Sequence, residues 1–171
     1  MRKTIRLILM LAVVAASINS VVFAAELSKS EKDFFHNTAI DGMTEVKLGE
    51  VAAKNGADQQ VKDFGNKMVK EHSKCNEELK KLATSKGITL PTDLDGKHQS
   101  VLDNYSKLKG AKFDHDFMDL MISDHKKVAS SLKSEEKTTD ADLKQWCKTT
   151  LPMVEEHLKL AQDIDKKIDK K

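Results

Sequence analysis

The sequence predicts an all-α protein, a ferritin-like four-helix bundle with a long connection between its second and third long helices. Four long stretches carry apolar residues at intervals of three and four, the period of a helix that is buried on one side. Glycine and aromatic residues are few, prolines number 2, and charged residues make up 33% of the chain, a composition typical of helical proteins with an aliphatic core. The first and last linkers are short and the middle one is long, which favours a ferritin-like crossover over simple up-and-down order.

The first long helix is expected over residues 28–54, and Asn55 and Gly56 supply its end. Its apolar stripe contains Gly42 and Gly49. A glycine inside a helix costs about 1 kcal/mol relative to alanine. Close approach of a neighbouring helix is therefore the favoured reason for both glycines.

The second long helix is expected over residues 58–86, with a stop at Gly87. Two polar residues, His72 and Cys75, lie in the middle of its otherwise apolar stripe. The following residues, 87–111, contain proline and glycine and one short amphipathic piece. This segment is expected to be a long connection that contains a small helix.

The third long helix is expected over residues 112–137, and the fourth follows a tight turn near residues 138–140. The stripes of these helices contain His125 and His157 respectively. Pro152 lies within the fourth helix and should kink it, because proline removes a backbone hydrogen bond.

One five-residue pattern occurs three times: methionine, valine or isoleucine, any residue, an acid, and histidine. Methionine and histidine four apart lie on one helix face, whereas the acid before the histidine points to the flank. Glu45, on the first helix, and the three histidines all lie near mid-height of their helices. We therefore expect these four residues to meet at the bundle centre, where such folds build metal sites: Glu45, His72, His125 and His157.

This cluster leaves two interpretations open. Three imidazoles with one carboxylate suit zinc, copper, iron or manganese, and Met68, Met121 and Met153 favour Cu(I) weakly. The alternative is a buried network in which the polar side chains satisfy one another, with Asp114, Asp124 and Glu71 as the nearest acceptors. A ferritin-type di-iron centre is disfavoured, because it needs glutamate three residues before histidine. The corresponding positions here are apolar: Val69, Ile122 and Val154.

The remaining histidines and both cysteines are expected outside this cluster. His36, His98 and His115 are interpreted as surface residues. Cys75 and Cys147 are expected to face the bundle, and whether they form a disulfide is left open. Antiparallel second and fourth helices would leave them about 10 Å apart along the axis, a mismatch that a kink would have to absorb.

Residues 1–24 have the features of a secretory signal peptide, and residues 25–171 are expected to form a single four-helix-bundle domain. Basic residues at the N-terminus precede an apolar run. The small residues Val22 and Ala24 occupy the two positions that a signal peptidase recognises before its cleavage site. A retained N-terminal anchor is the alternative. Removal of the signal peptide takes away three basic residues and leaves the mature chain with a net charge of about −1. This charge gives no support for a nucleic-acid partner. We expect a periplasmic or secreted protein with no membrane span in the mature chain.

The chain also resembles the bacterial exported family of unknown function called DUF4142, which is often labelled a putative outer-membrane protein. The similarity covers about residues 31–165 and lies in these segments: Gly42-Met43-Thr44-Glu45-Val46-Lys47-Leu48-Gly49, Val61-Lys62-Asp63-Phe64, Met68-Val69-Lys70-Glu71-His72, Phe113-Asp114, Phe117-Met118, Asp124-His125, Leu151-Pro152 and His157-Leu158. The resemblance implies a ferritin-like bundle outside the cytoplasm, with Glu45 and the three histidines as matching polar core positions. It implies no established activity.

Three functions compete at this point. The first is a soluble exported bundle that binds a transition metal for storage, buffering or stress protection. The second is a non-catalytic structural or interaction protein whose histidines form a buried polar network. The third, ranked lowest, is a metal-dependent oxidoreductase. The sequence contains no Ser-His-Asp order, phosphate loop or paired catalytic carboxylates on which an enzyme could be proposed.

Overall fold

Five helices make up most of the described chain, residues 27–169 of a computed structural model. They are α1 (Lys29–Asn55), α2 (Gln59–Ser85), α3 (Gly96–Lys107), α4 (Gly110–Glu135) and α5 (Ala141–Ile168). Four are long, and α3 is the short helix of the long connection, so the predicted fold class is confirmed. The predicted signal segment, residues 1–24, lies outside the described residues. No helix in the described part of the chain is long and apolar enough to cross a membrane.

Polar side chains fix where the helices begin. Ser28 caps α1 in a reciprocal arrangement: its hydroxyl accepts from the Glu31 backbone N–H, and the Glu31 carboxylate accepts from the Ser28 N–H at 2.7 Å. The caps of α2 and α5 are not reciprocal: Asp58 accepts from the Gln60 backbone N–H, and Asp140 accepts from the Leu143 backbone N–H. Each such cap stabilises a helix by about 1 kcal/mol.

The ends of the connection depend on glycine. Gly87, just after α2, has φ +68°, and Gly110, the first residue of α4, has φ +70°. Other residues rarely adopt this left-handed conformation, so the two glycines allow the chain to turn sharply there. By contrast, α5 continues through Pro152 from Ala141 to Ile168. Pro152 therefore does not end the helix, and the expected kink stays a prediction.

Contacts at the helix ends establish the topology. At one end of the bundle Lys167, late in α5, donates to Gln60, early in α2, at 2.9 Å. At the other end Lys86, just after α2, pairs with Asp140, just before α5, at 2.6 Å. Helices α2 and α5 therefore run antiparallel.

The start of α4 lies beside the start of α2, because Asp114 accepts from the Asp58 backbone N–H at 2.8 Å. These two helices therefore run parallel, and the connection between them must return along the bundle. It does so against α1: His98 of α3 contacts Asp41 at 3.1 Å, and Asn55 donates to the Leu108 carbonyl at 3.0 Å. This is the predicted ferritin-like crossover.

Two apolar clusters fill the two ends of the bundle. We call the first the Phe117 end; it lies where α1 and α5 finish and α2 and α4 begin. Its buried residues are Leu48, Ala52, Val61, Phe64, Met68, Phe113, Phe117, Met118, Met121, Ala161, Ile164 and Ile168. We call the second the Trp146 end. Its buried residues are Phe34, Phe35, Ala39, Leu79, Ala83, Ala129, Leu132, Leu143, Trp146, Cys147 and Val154.

Glycines bring α1 and α2 into close contact. A Cβ atom placed on Gly49 would lie 2.8 Å from the Gly65 carbonyl oxygen, and one on Gly65 would lie 2.6 Å from the Gly49 carbonyl oxygen. The predicted close helix approach is thus found at Gly49. At Gly42 the neighbour is the flexible end of the Asn76 side chain, so this glycine leaves room for an amide and not for a backbone.

Candidate metal centre

Three histidines meet between the two apolar ends. His72 comes from α2, His125 from α4 and His157 from α5, and their exposed fractions are 7%, 1% and 0%. One ring nitrogen of each lies within 4.8 Å of the other two. The ring centroids are 5.2 to 5.6 Å apart, and the His157 Nδ1 atom lies 3.3 Å from the His72 Nε2 atom. The repeated methionine-to-histidine pattern therefore places its three imidazoles at one level of the bundle.

Outer hydrogen bonds fix the orientation of two of these rings. His157 Nε2 lies 2.7 Å from a Glu71 carboxylate oxygen, and Glu71 is itself paired with Lys67 at 2.7 Å. His125 Nδ1 lies 2.9 Å from the Met121 carbonyl oxygen. Both oxygens can only accept, so both ring atoms must carry the proton. The opposite nitrogens, His157 Nδ1 and His125 Nε2, are then lone-pair donors when the rings are neutral.

Burial keeps the rings neutral. Burial, followed by the charge of His157, lowers the pKa of His125 to about 4. Burial and the two neighbouring imidazoles lower the pKa of His72 well below its usual value. The pKa of His157 is also lowered by burial, although its hydrogen bond to Glu71 opposes this. Near neutral pH the cluster therefore presents uncharged imidazoles, the form that binds metal ions.

His125 Nε2 is the atom that distinguishes the two interpretations of the cluster. It is buried and has no hydrogen-bond partner among the described residues. A buried polar atom left without a partner costs about 1–3 kcal/mol. A self-sufficient polar network would be expected to satisfy this nitrogen. A ligand that accepts its lone pair, such as a metal ion, would satisfy it.

Glu45 lies apart from the three-nitrogen group. It is on α1, 6% exposed, and its Oε2 atom is buried without a hydrogen-bond partner within residues 27–169. Burial, with Asp124 and Asp41 adding to it, raises the pKa of Glu45 to about 8. Its depth along the bundle was predicted from the sequence, but depth does not fix the direction of the side chain. Its role as a fourth ligand stays a prediction.

A cavity of about 140 Å³ adjoins the histidines on the side of the Trp146 end. It is lined by Phe34, Thr38, Asp41, Gly42, Glu45, His72, Cys75, Asn76, Lys127, Val128, Ser131, Leu132, Trp146, Thr150, Met153 and Val154. Trp146 Nε1 is a further buried polar atom without a hydrogen-bond partner in the described chain. The sequence reasoning missed this cavity. The one available signal was spacing: Asn76 follows His72 by four residues, and Gly42 precedes Glu45 by three.

The sequence profile of DUF4142, a domain of unknown function, matches residues 17–164. This chain belongs to the DUF4142 family. Among solved structures it is similar to a crystal structure of a DUF305 fragment from Deinococcus radiodurans, with a TM-score of 0.72 and 9% sequence identity. The match covers 82% of this chain and 97% of that one. At this identity the likeness shows the shared helical fold alone. No curated protein matches the chain.

The acceptors predicted for the histidines of this DUF4142 chain are only partly those observed. Glu71 accepts from His157 as expected. Asp114 instead accepts from the backbone N–H groups of Ala57 and Asp58, and so holds the turn between α1 and α2. Asp124 pairs with Lys127 at 2.9 Å. Two of the three predicted acceptors, Asp114 and Asp124, therefore bond to other groups and not to the histidines.

The other histidines lie away from the cluster, but only His36 is fully exposed. His98 is half-buried and contacts Asp95 and Asp41 at 2.7 and 3.1 Å. His115, also half-buried, lies 3.2 Å from Asp169. His36 and His115, whose side chain is 42% exposed, are therefore surface residues as expected, whereas the interpretation needs correction for His98, which is 21% exposed and held by Asp95 and Asp41.

Both cysteines are free thiols. Burial raises the pKa of Cys75 to about 11 and that of Cys147 to about 12. The disulfide that the sequence left open is not formed. Such high pKa values also make both thiols poor nucleophiles near neutral pH.

Proposed function

We propose that this DUF4142 protein is exported from the cytoplasm and binds one transition-metal ion through His72, His125 and His157. The binding would serve metal storage, buffering or stress protection. The observation that carries the proposal is the meeting of three buried imidazole nitrogens from three helices, one of which, His125 Nε2, has no partner among the described residues. Export is supported by the signal-peptide features of residues 1–24.

The separations of the ring nitrogens suit a small ion. Two nitrogens that bind one tetrahedral ion at about 2.0–2.1 Å lie roughly 3.3–3.4 Å apart. His157 Nδ1 and His72 Nε2 lie 3.3 Å apart, and all three nitrogens lie within 4.8 Å of one another. The carboxylate behind His157 and the carbonyl behind His125 are the partners that metal-binding histidines ordinarily have.

The donor set suits several transition metals, and the neighbouring methionines favour copper among them. Neutral imidazoles suit zinc and copper, and they also bind iron and manganese. Two of the methionines of the repeated pattern, Met68 and Met121, are fully buried in the layer next to the histidines, and Met153 lines the cavity. Thioether sulfur favours Cu(I) among these ions. Glu45, which lines the same cavity as His72, is proposed as an additional oxygen ligand that would become ionised on binding.

A second candidate function is a structural or interaction protein in which the histidines only stabilise the core. The contact that favours it is the 3.3 Å approach of His157 to His72, which is also a hydrogen-bond distance. In that case the His72 Nε2–H would donate to His157 Nδ1. The two candidates differ in what a chelator does, because a polar network has no ion to lose.

Metal content of protein purified without a histidine tag tests the proposal. We expect about one zinc or copper ion per chain and a melting temperature that falls when a chelator removes it, since an ion bound only to the folded state stabilises that state. His125→Gln should abolish stoichiometric binding, whereas His36→Gln, at an exposed position of α1 outside the cluster, should leave it unchanged. Metal-free protein whose melting temperature does not respond to added zinc, copper, iron or manganese would favour the polar network.

Export has its own test. Mass spectrometry of the exported protein should give an N-terminus at Ala25, because Val22 and Ala24 are the small residues before the expected cut. Protein found outside the cytoplasm with Met1 intact would show that the leader is retained. Protein confined to the cytoplasm would overturn the export part of the proposal and leave the metal part unaffected.

A further inference from the structure

A second group of ligating side chains lies at the Phe117 end, where α4 begins and α5 finishes. His115 belongs to α4, whereas Asp165 lies in the last turn of α5 and Asp169 caps its end. One ligand atom of each lies within 4.8 Å of the other two. His115 precedes His125 of the buried cluster by ten residues, or roughly 15 Å along α4, so the two groups are separate.

The distances within this group suit a small ion. His115 Nδ1 lies 3.2 Å from an Asp169 carboxylate oxygen. Two ligand atoms that bind one tetrahedral ion at about 2.0–2.2 Å lie roughly 3.3–3.6 Å apart. A direct hydrogen bond between His115 and Asp169 has a similar length, but such a pair needs no third partner. Here Asp165 brings a second carboxylate within 4.8 Å of both atoms.

The surroundings balance the negative charge of this group only in part. Burial raises the pKa of Asp165, and the charges of Asp169 and Asp119 raise it further. His115 and Lys166 act in the opposite direction without cancelling the rise. The carboxyl end of a helix is also the negative end of its dipole, where carboxylates are unfavourable and cations are favourable. A bound cation would offset both effects.

The exposure of the group leaves room for water ligands. The side chains of His115 and Asp169 are 42% and 60% exposed, and Asp165 is half-buried. An ion held by three protein atoms completes its coordination with water, which has access at such a position. We expect weaker binding here than at the buried histidines, and loss of the ion when purified protein passes through metal-free buffer. The ion therefore does not add to the one ion per chain expected for the buried cluster.

We propose that His115, Asp165 and Asp169 form a second divalent-cation site, at the Phe117 end, for manganese or zinc. One imidazole nitrogen and two carboxylate oxygens are donors that both ions accept. Calcium and magnesium prefer oxygen ligands alone, so the imidazole makes the site selective against them. The ion joins the end of α5 to the start of α4. Binding does not require the buried histidines to be loaded.

Manganese locates the site directly, because this ion is paramagnetic and broadens the NMR signals of nearby nuclei. Titration of metal-free protein with manganese should remove the backbone amide signals around His115 and Asp169. Zinc, which is diamagnetic, should restore these signals by competition, whereas the same concentration of magnesium should not. Manganese at the buried histidines would broaden signals at mid-height of the bundle, so one spectrum resolves the two sites.

Three single variants separate a built site from general surface charge. His115→Gln and Asp165→Asn each remove one ligand and should weaken manganese binding by about tenfold or more, since changes behind the ligands alone cost about 10–100-fold. His115→Gln leaves both carboxylates in place, so a general attraction for cations would survive it. Asp163→Asn removes an acid of the same helix that pairs with Lys159 at 2.6 Å, outside the group. It should change the affinity little, because water and salt screen exposed charges.

Two results would overturn the proposal. One is manganese binding by His115→Gln that equals binding by the wild type. The other is a loss of affinity in Asp163→Asn as large as that in Asp165→Asn. Either result would leave an ordinary ion pair between His115 and Asp169. The substituted positions are not fully buried, and the melting temperature of each metal-free variant checks that it folds.

The outcome is distinguishable from that of the buried-histidine experiment. The His72→Gln/His125→Gln double variant, which should lose the buried centre, should keep the manganese response at the Phe117 end. Conversely, His115→Gln should keep the ion that remains bound through purification. Protein that shows the first behaviour and binds no ion at the buried histidines would support the second site alone. A manganese response at the Phe117 end that disappears in the double variant would contradict the independence of the two sites.

Discussion

The Phe117 end and the Trp146 end of the bundle use the same helices but are packed differently. At the Phe117 end Phe113 and Phe117 stack with centroids 5.3 Å apart, and Phe64 meets Phe117 edge-on at 6.2 Å. At the Trp146 end the Phe34–Trp146 pair borders a cavity, and Glu45 and Trp146 each keep a buried polar atom without a partner in residues 27–169. One end is filled with apolar side chains, whereas the other retains space and unpaired polarity.

The difference indicates a division of roles along one bundle. Close packing gives the Phe117 end rigidity and contributes stability. The Trp146 end contributes less to the stability of the fold, because unpaired buried polar groups and voids are both destabilising. Unpaired polar atoms and voids beside a cluster of buried histidines are typical of functional sites. The histidines lie between the two ends: His72 lines the cavity of the Trp146 end, whereas His125 and His157 are buried and do not line it.

Truncation of an aromatic ring should show the largest contrast. Phe117→Ala removes a fully buried, stacked ring and should lower the free energy of unfolding by about 3–5 kcal/mol. Phe34→Ala removes the same ring from the wall of an existing cavity, where fewer neighbours lose contacts, and should cost less than half as much. Urea denaturation of both variants measures this. Equal losses would show that the two ends are equally well packed.

The Glu45 carboxyl group should make the free energy of unfolding depend on pH. Its pKa rises from 4.5 in the unfolded chain to about 8 in the folded protein. The folded state therefore holds a proton that the unfolded state has lost, and stability falls as pH rises between these values. Glu45→Gln removes this penalty, so the variant should gain about 1.4 kcal/mol per pH unit over the wild type, or about 3 kcal/mol from pH 4.5 to 7.

Glu50→Gln is the matched control for this experiment, because Glu50 is exposed on the same helix. Its stability relative to the wild type should show little pH dependence. Metal must be removed before the measurement, since an ion near Glu45 would favour the carboxylate. A difference between Glu45→Gln and the wild type that stays constant from pH 4.5 to 8 would show that this carboxyl is ionised in the folded protein.

Two glycines of α1, seven residues apart, should respond differently to alanine. Gly49→Ala places a Cβ against the backbone of α2 and should cost about 1–3 kcal/mol, because neither helix can move aside locally. At Gly42 the obstacle is the Asn76 side chain, which can rotate. The gain in helix propensity, about 1 kcal/mol, should there offset the disturbance. Thermal unfolding compares the two variants, and similar losses would contradict the contrast in helix contact.

Much of this architecture could be predicted from the sequence. Helix periodicity, caps and the long middle segment indicate the four long helices and their crossover, because these signals are local in the chain. The repeated pattern also places His72, His125 and His157 at one level, since position along a helix follows from residue count.

The direction of side chains could not be predicted in the same way. Glu45 lines the same cavity as His72 but lies outside the three-nitrogen group. Asp114 was expected near the histidines and instead holds a turn, which depends on how separate elements meet. The cavity depends on packing between four helices, and no single periodic pattern encodes the space that remains between them.

The central claim is that the three histidines are metal ligands and not only core polar groups. X-ray absorption of the zinc-loaded protein tests it most directly. We expect a first shell of nitrogen and oxygen at about 2.0–2.1 Å, with the outer-shell scattering of at least two imidazole rings. The His72→Gln/His125→Gln double variant should bind no stoichiometric zinc. A first shell without imidazole scattering, or equal zinc binding by the double variant, would contradict the claim.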